Sequence, residues 1–239
     1  MGRKKKLVEV TNREEIKKEI NHTEITNDFD ILSYRCDEVD IRKENAIIRE
    51  IILNLKKVIR EKNLVSLAAP QLSYTKRIFC INFSGDIRTF INPIISNVKG
   101  FELNKETCSS IPDKTYIRPR HNDITVIYQT PLGKTESKKI VGVAAKVFQH
   151  AIDHLDGLLI SDVGLEIDEQ FDKASEKEQA EIIKMYMDSL DIKQKEINTE
   201  IQSNEELKKM SDAIEFISKV QSGEVKIEPI INKEKKQDG

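Results

Sequence analysis

Apolar side chains recur at helical spacing between residues 46 and 61. Ile47, Ile48, Ile51, Ile52, Leu55, Val58 and Ile59 share one broad face, which predicts an amphipathic helix buried on that side. Short apolar runs follow at residues 64–69, 77–82, 89–95 and 123–128, and they predict strands. The last of these ends at a turn, Pro131-Leu132-Gly133. Helical period returns over residues 139–155. There Val143, Val147, Ala151 and His154 fall on one side, and Ala144, Phe148, Ile152 and Leu155 form a neighbouring stripe. Gly157 provides a stop. A helix, several strands and then a long apolar helix predict an α+β domain, with a sheet folded around the second helix.

The pattern weakens on both flanks. Residues 1–28 are polar and charged and form an N-terminal tail, in which residues 13–20 are either a short helix or disordered. Residues 29–168 carry the domain. Beyond it, Ser175 and Glu178 have capping-box spacing and open a helix with Ile183, Met187, Leu190, Ile197 and Ile201 on a loose stripe. Ser203 and Glu206 open another, with Leu207, Met210, Ile214 and Ile217, ending near Gly223. Residues 169–223 thus read as a helical hairpin with narrow apolar seams. Such a hairpin either packs back on its own domain or associates with a protein partner or a second copy. Residues 224–239 read as a disordered tail.

Charge alters this picture little. Charged residues make up 33% of the chain, interspersed to a net charge of −2, which gives no pointer to nucleic acid. The longest apolar runs fall short of a membrane span. The basic start, Met1 to Lys6, lacks the apolar segment of a secretion signal. Cys36, Cys80 and Cys108 are few and odd in number, which fits a reducing compartment rather than a disulfide framework. The expected location is the cytoplasm, or a particle assembled there.

The second helix carries the candidate chemistry. His150 and His154 stand four residues apart, so both rings can address one ion from a single face. A hydrolytic helix of this type reads H-E-x-x-H, its glutamate acting on water at the metal. Ala151 stands where that glutamate belongs. Cys108, within Glu106-Thr-Cys-Ser-Ser110, could complete a ligand set of one thiolate and two imidazoles suited to a transition metal. Gln71, ending Leu67-Ala-Ala-Pro-Gln71, could offer a side-chain amide to an oxyanion.

In this order the three stretches resemble peptide deformylase. That family's motifs read G-x-G-L-A-A-P-Q, E-G-C-L-S and Q-H-E-x-D-H-L-D-G. Here they read Leu64-Val-Ser-Leu-Ala-Ala-Pro-Gln71, Glu106-Thr-Cys-Ser-Ser110 and Gln149-His-Ala-Ile-Asp-His-Leu-Asp-Gly157. Phe90-Ile-Asn-Pro-Ile94, and Ile117-Arg-Pro119 followed by Ile124-Thr-Val-Ile-Tyr128, match connecting signatures. The resemblance spans roughly residues 30–165. It implies a peptide deformylase-like fold and removal of formyl from N-terminal methionine. It also implies one divalent metal, Fe²⁺ or Zn²⁺, on Cys108, His150 and His154. Gln71 and the backbone N–H of Ser109 would hold the oxyanion, and Arg118 would support the site and the substrate region. N-terminal peptides become the expected partners.

Departures at five residues cluster at the site. Ala151 replaces the catalytic glutamate, Leu64 and Ser66 replace two glycines of the first motif, Thr107 replaces the glycine before the cysteine, and Ser109 replaces a leucine. Losing a general acid–base typically costs about 10²–10⁴-fold in rate. The expectation is a deformylase-like metalloprotein with lost or strongly reduced activity. Two alternatives stand beside it. One is an interaction protein reusing the fold, for example a phage-derived assembly component contacting its partner through residues 169–223. The other is a hydrolase of a different small amide, with Leu64 and Ser66 shaping the pocket.

Overall fold

The computed structural model describes the backbone of residues 21–203 and the side chains of residues 21–191. Residues 13–20, read as either a short helix or disordered, the second arm of the hairpin and the terminal tail lie outside the described residues. A one-turn helix, α1 (Phe29–Leu32), leads into α2 (Asn45–Glu61). Strand β1 (Ser66–Ala68) runs into a 3-10 turn, Ala69–Leu72. Strands β2 (Ile78–Phe83), β3 (Asp86–Cys108), β4 (Ile111–Gln129) and β5 (Thr135–Val141) precede α3 (Val143–Leu155). Short elements α4 (Ile160–Val163), β6 (Leu165–Ile167) and α5 (Glu169–Lys173) lead to α6 (Glu176–Ser203). The strands form one antiparallel sheet in the order β1-β2-β3-β4-β5, with β6 added to β4. None of the described helices is long and apolar enough to cross a membrane.

Two helices cover opposite faces of the first strands. Ile48, Ile51, Leu55, Val58 and Ile59 of α2 are buried against Leu67, Ile78, Cys80 and Ile91. Phe148, Ile152 and Leu155 of α3 pack with Phe79, Ile81, Phe90 and Val126. Alternate residues of β2 therefore serve different helices, which is why residues 78–81 form an unbroken apolar run. The rings of Phe79 and Phe90 both meet Phe148 edge-on, with centroids 5.4 and 4.6 Å away. α3 touches every strand from β1 to β5, so the sheet does wrap around it.

Several boundaries differ from the sequence expectation. Residues 139–141 are strand, not helix: Ile140 and Val141 pair with Ile124 and Asp123 of β4. The chain changes structure at Gly142, whose φ of 64° favours glycine and which starts α3. The run at 64–69 yields strand only over Ser66–Ala68 before Pro70 enters the 3-10 turn. β3 and β4 are far longer than the apolar runs at 89–95 and 123–128. They continue far beyond the core as paired strands whose β3 edge is largely exposed from Asn97 to Lys105, so apolar patterning vanishes there.

The capping box forms as expected, with the Ser175 hydroxyl and backbone N–H both donating to Glu178. The first part of α6 lies against the domain. Ile183 packs beside Ile117, Ile167 and Phe171. The Tyr186 hydroxyl donates to the Val163 carbonyl at 2.7 Å.

Candidate metal centre

Cys108 lies at the end of β3, just before the tight connection into β4. A register shift between Thr107 and Cys108 pairs Thr107 with Thr115 but Cys108 with Ile111. Such an irregularity re-aims a side chain at the rim of a sheet. Successive turns of α3 supply His150 and His154. A nitrogen from each ring and the Cys108 Sγ lie within 4.8 Å of one another. Sγ is 3.3 Å from His154 Nε2. The structure thus brings together the three residues predicted to ligate.

Gln149, next to the first histidine, sets the helix against the sheet. Its Oε1 accepts from the His121 backbone N–H at 3.0 Å, and its Nε2 donates to the His121 carbonyl at 2.8 Å. The buried amide therefore satisfies both backbone groups of one strand residue. At the far end of α3, Gly157 has a φ of 71°, and a Cβ there would lie 2.5 Å from the Ser33 carbonyl oxygen. Asp156 pairs with Arg77 at 2.6 Å.

Behind the triad lies a chain of charges. His150 Nδ1 donates to Glu106 Oε2 at 2.8 Å, leaving its other nitrogen to face Cys108. Arg120 grips Glu106 with two hydrogen bonds, at 2.6 and 2.8 Å, and reaches Asp153 at 2.6 Å. Arg118 pairs with Asp153 at 3.0 Å. Burial would raise the Glu106 carboxyl, but Arg120 and His150 outweigh it and hold the group well below the usual range. Burial also opposes ionisation of the Cys108 thiol. Hydrogen bonds and charge from the two histidines prevail and bring it down to about 5. The same partnership raises His150 against its own burial.

This donor set fits a divalent transition metal. A thiolate-prone cysteine and two imidazoles match the ligands of catalytic zinc sites, which keep a fourth position open. The Glu106–His150 contact is the carboxylate–histidine support typical of metal-ligating imidazoles. His154 differs, since its Nδ1 is buried without a hydrogen-bond partner among the described residues.

Gln71 stands beside the triad. Its Oε1 accepts from the Ala68 backbone N–H at 3.0 Å, which fixes the amide orientation. Nε2 then donates to Ser109 Oγ at 3.1 Å and Ser110 Oγ at 3.2 Å, 4.0 Å from Cys108 Sγ. The Ser109 hydroxyl, on a side chain read as a leucine replacement, thus occupies a donor expected to face an oxyanion.

A cleft of about 820 Å³ opens onto Cys108, His150, Gln71 and Ser109, and Leu64, Ser66 and Thr107 line it too. Arg118, expected to support the site and the substrate region, pairs with Asp153 behind the triad and is not among the lining residues. Ala151 is buried, its methyl packed in the core with Ala68 and Phe148 and also absent from the lining. Sequence reading missed Arg120. It sits two residues after Arg118 on β4, hence on the same face, and a buried Glu106 in need of a cation was the available signal.

A cysteine and two histidines on a helix enclosed by an antiparallel sheet place the molecule among α+β proteins with a metal-binding cradle. A family model, polypeptide deformylase, matches residues 23–170, and the chain belongs to that family. Among curated relatives, the peptide deformylase of Symbiobacterium thermophilum is 32% identical over 145 residues, covering 59% of this chain and 67% of that protein. The fold is similar to the crystal structure of peptide deformylase from Thermotoga maritima, with a TM-score of 0.54 and 31% identity over 58% of this chain and 93% of that one. It is also similar to a probable peptide deformylase from synechococcus phage S-SSM7, with a TM-score of 0.54 and 29% identity over 58% of this chain and 97% of that one.

Proposed function

We propose that this chain is a metal-binding, peptide deformylase-like protein in which removal of formyl from N-terminal methionine is lost or strongly reduced. Cys108, His150 and His154 would hold one divalent ion, Fe²⁺ or Zn²⁺, which supplies Lewis acidity when bound. Gln71, on releasing the Ser109 hydroxyl, and the backbone N–H of Ser109 would orient a carbonyl oxygen at the cleft. N-formyl peptides are the ligand class this arrangement suits.

The observation that carries the reading is Ala151. A methyl group neither takes a proton from water nor delivers one to a leaving amine. Among the described residues lining the cleft, no carboxylate offers a ready substitute. Glu106 is engaged by Arg120 and His150. Asp113, also lining the cleft, is an exposed residue of β4.

The test is formate release from formyl-methionyl peptide by metal-loaded wild type and by Ala151→Glu. The wild type is expected to turn over very slowly, and the variant to gain about 10²–10⁴-fold. Turnover by wild-type protein at the rate of an ordinary family member would overturn the proposal.

A further inference from the structure

One charged side chain of α3 faces the cleft without belonging to the triad or its support. Lys146 lies one turn before His150 and lines the same cleft as Cys108. Its side chain is only 12% exposed, and its counterion is Glu102 of β3. Glu102 is 51% exposed, and Asn122 donates to it at 3.4 Å. Such a half-exposed partner holds weakly, because water replaces the ammonium at small cost. Lys146 is the more enclosed member, so it depends more on having an anion nearby.

The remainder of the lining strengthens this asymmetry. Lys105 and Lys114 lie on the β3–β4 side of the cleft. The two lining acids are Glu106, held by Arg120 and His150, and Asp113. Lys114 is paired with Glu166 at 2.9 Å, so Lys105 and the weakly held Lys146 are the cations the lining offers, with Asp113 the acid outside the triad's support. Four residues of helix separate Lys146 from His150, about 6 Å along the axis. That is roughly the reach of one extended side chain from a carbonyl bound at the triad.

We propose that the cleft selects N-acyl peptides whose first side chain bears a carboxylate, with Lys146 exchanging Glu102 for that group. The inference rests on reading the cleft as an N-acyl peptide site and adds its selectivity. Leu64 and Val147 would contact the methylenes of an acidic side chain, and Lys146 would fix its end with a charge-assisted hydrogen bond. Glu102 would turn out into solvent. Lys146 is thus a specificity-determining residue rather than a member of the metal support.

The test is calorimetric titration of full-length, zinc-loaded protein with three C-terminally amidated peptides, formyl-Glu-Ala-Ser, formyl-Gln-Ala-Ser and formyl-Met-Ala-Ser. The glutamyl peptide is expected to bind wild type about tenfold more tightly than its neutral glutaminyl isostere, the scale of one hydrogen bond to a charged group. Lys146→Met should abolish that difference and favour the methionyl peptide. Glu102→Gln should strengthen glutamyl binding by freeing Lys146; if the pair were merely structural, this variant would weaken all three. Equal binding of the Glu and Gln peptides, or a preference surviving Lys146→Met, overturns the inference and leaves the peptide site intact. Binding of none of the peptides overturns the reading of the cleft itself.

Discussion

The two sides of the cradle differ in kind. Behind the histidines, Glu106, Arg120, Asp153 and Arg118 form a continuous set of short ion pairs. Arg120 in it is 2% exposed and Glu106 7%. At the front, Leu64, Ser66, Thr107 and Ser109 depart from the family pattern, and so does Ala151 between the histidines. The support side needs each charge to meet its partner, because an unpaired buried charge is expensive. The front carries no such mutual dependence. The residues that could hold an ion are thus structurally separable from the position, Ala151, where a proton-moving group would stand.

The sharpest way to break this contrast is to attack the support. Arg120→Met leaves Glu106 buried without its main partner and should cost about 3–5 kcal/mol. At about 2–4 °C per kcal/mol for a domain of this size, melting should fall by about 10 °C in a calorimetric scan. Glu106→Gln is subtler. It keeps the shape but weakens the anchor of His150, and should loosen metal binding about 10–100-fold in a chelator competition. Should either variant behave like wild type, the support would be dispensable and the contrast would fail.

Two smaller effects probe regions outside the centre. Tyr186→Phe removes the hydrogen bond from α6 to Val163 and should cost about 1 kcal/mol in denaturant unfolding, leaving metal affinity unchanged. A change in metal affinity would show instead that α6 belongs to the support. The last effect is alkaline. Burial pushes the Cys36 thiol up to about 12 and the Cys80 thiol up to about 11. The folded chain keeps protons that the unfolded chain releases at ordinary thiol values, so stability should decline as pH rises from about 9 toward 12. Equilibrium unfolding across that window should show the decline. Replacing both cysteines by alanine should flatten the slope while lowering stability throughout.

Legibility followed the physics of each region. α2 was readable because one side of it meets the core and the other meets water. The triad was readable because its residue types and flanking motifs survive, although spacing alone would not have joined Cys108 to α3. The β3–β4 pair hid its length because its outer part leaves little apolar alternation. Residues 139–141 continued a helical period by coincidence, and Gly142 was the signal against it. Arg120 and Lys146 passed as ordinary surface charges. Burial decides their meaning, and burial comes from residues far away in the chain.

The N-terminal strap over α3 has a consequence for synthesis. The Cys36 backbone N–H donates to the Leu155 carbonyl, and Leu32 packs with Cys108 and Leu159. The earliest part of the described chain therefore waits for one of the later helices before it can settle. At about 5–20 residues per second the interval is on the order of ten seconds. For the last part of it, the 42 residues from Cys108 to His150 or about 2–8 s, Cys108 has been made while the histidines that lower its pKa have not. The nascent protein passes through a stage with an ordinary, uncommitted thiol, and the three candidate ligands come together only when α3 closes beneath the strap.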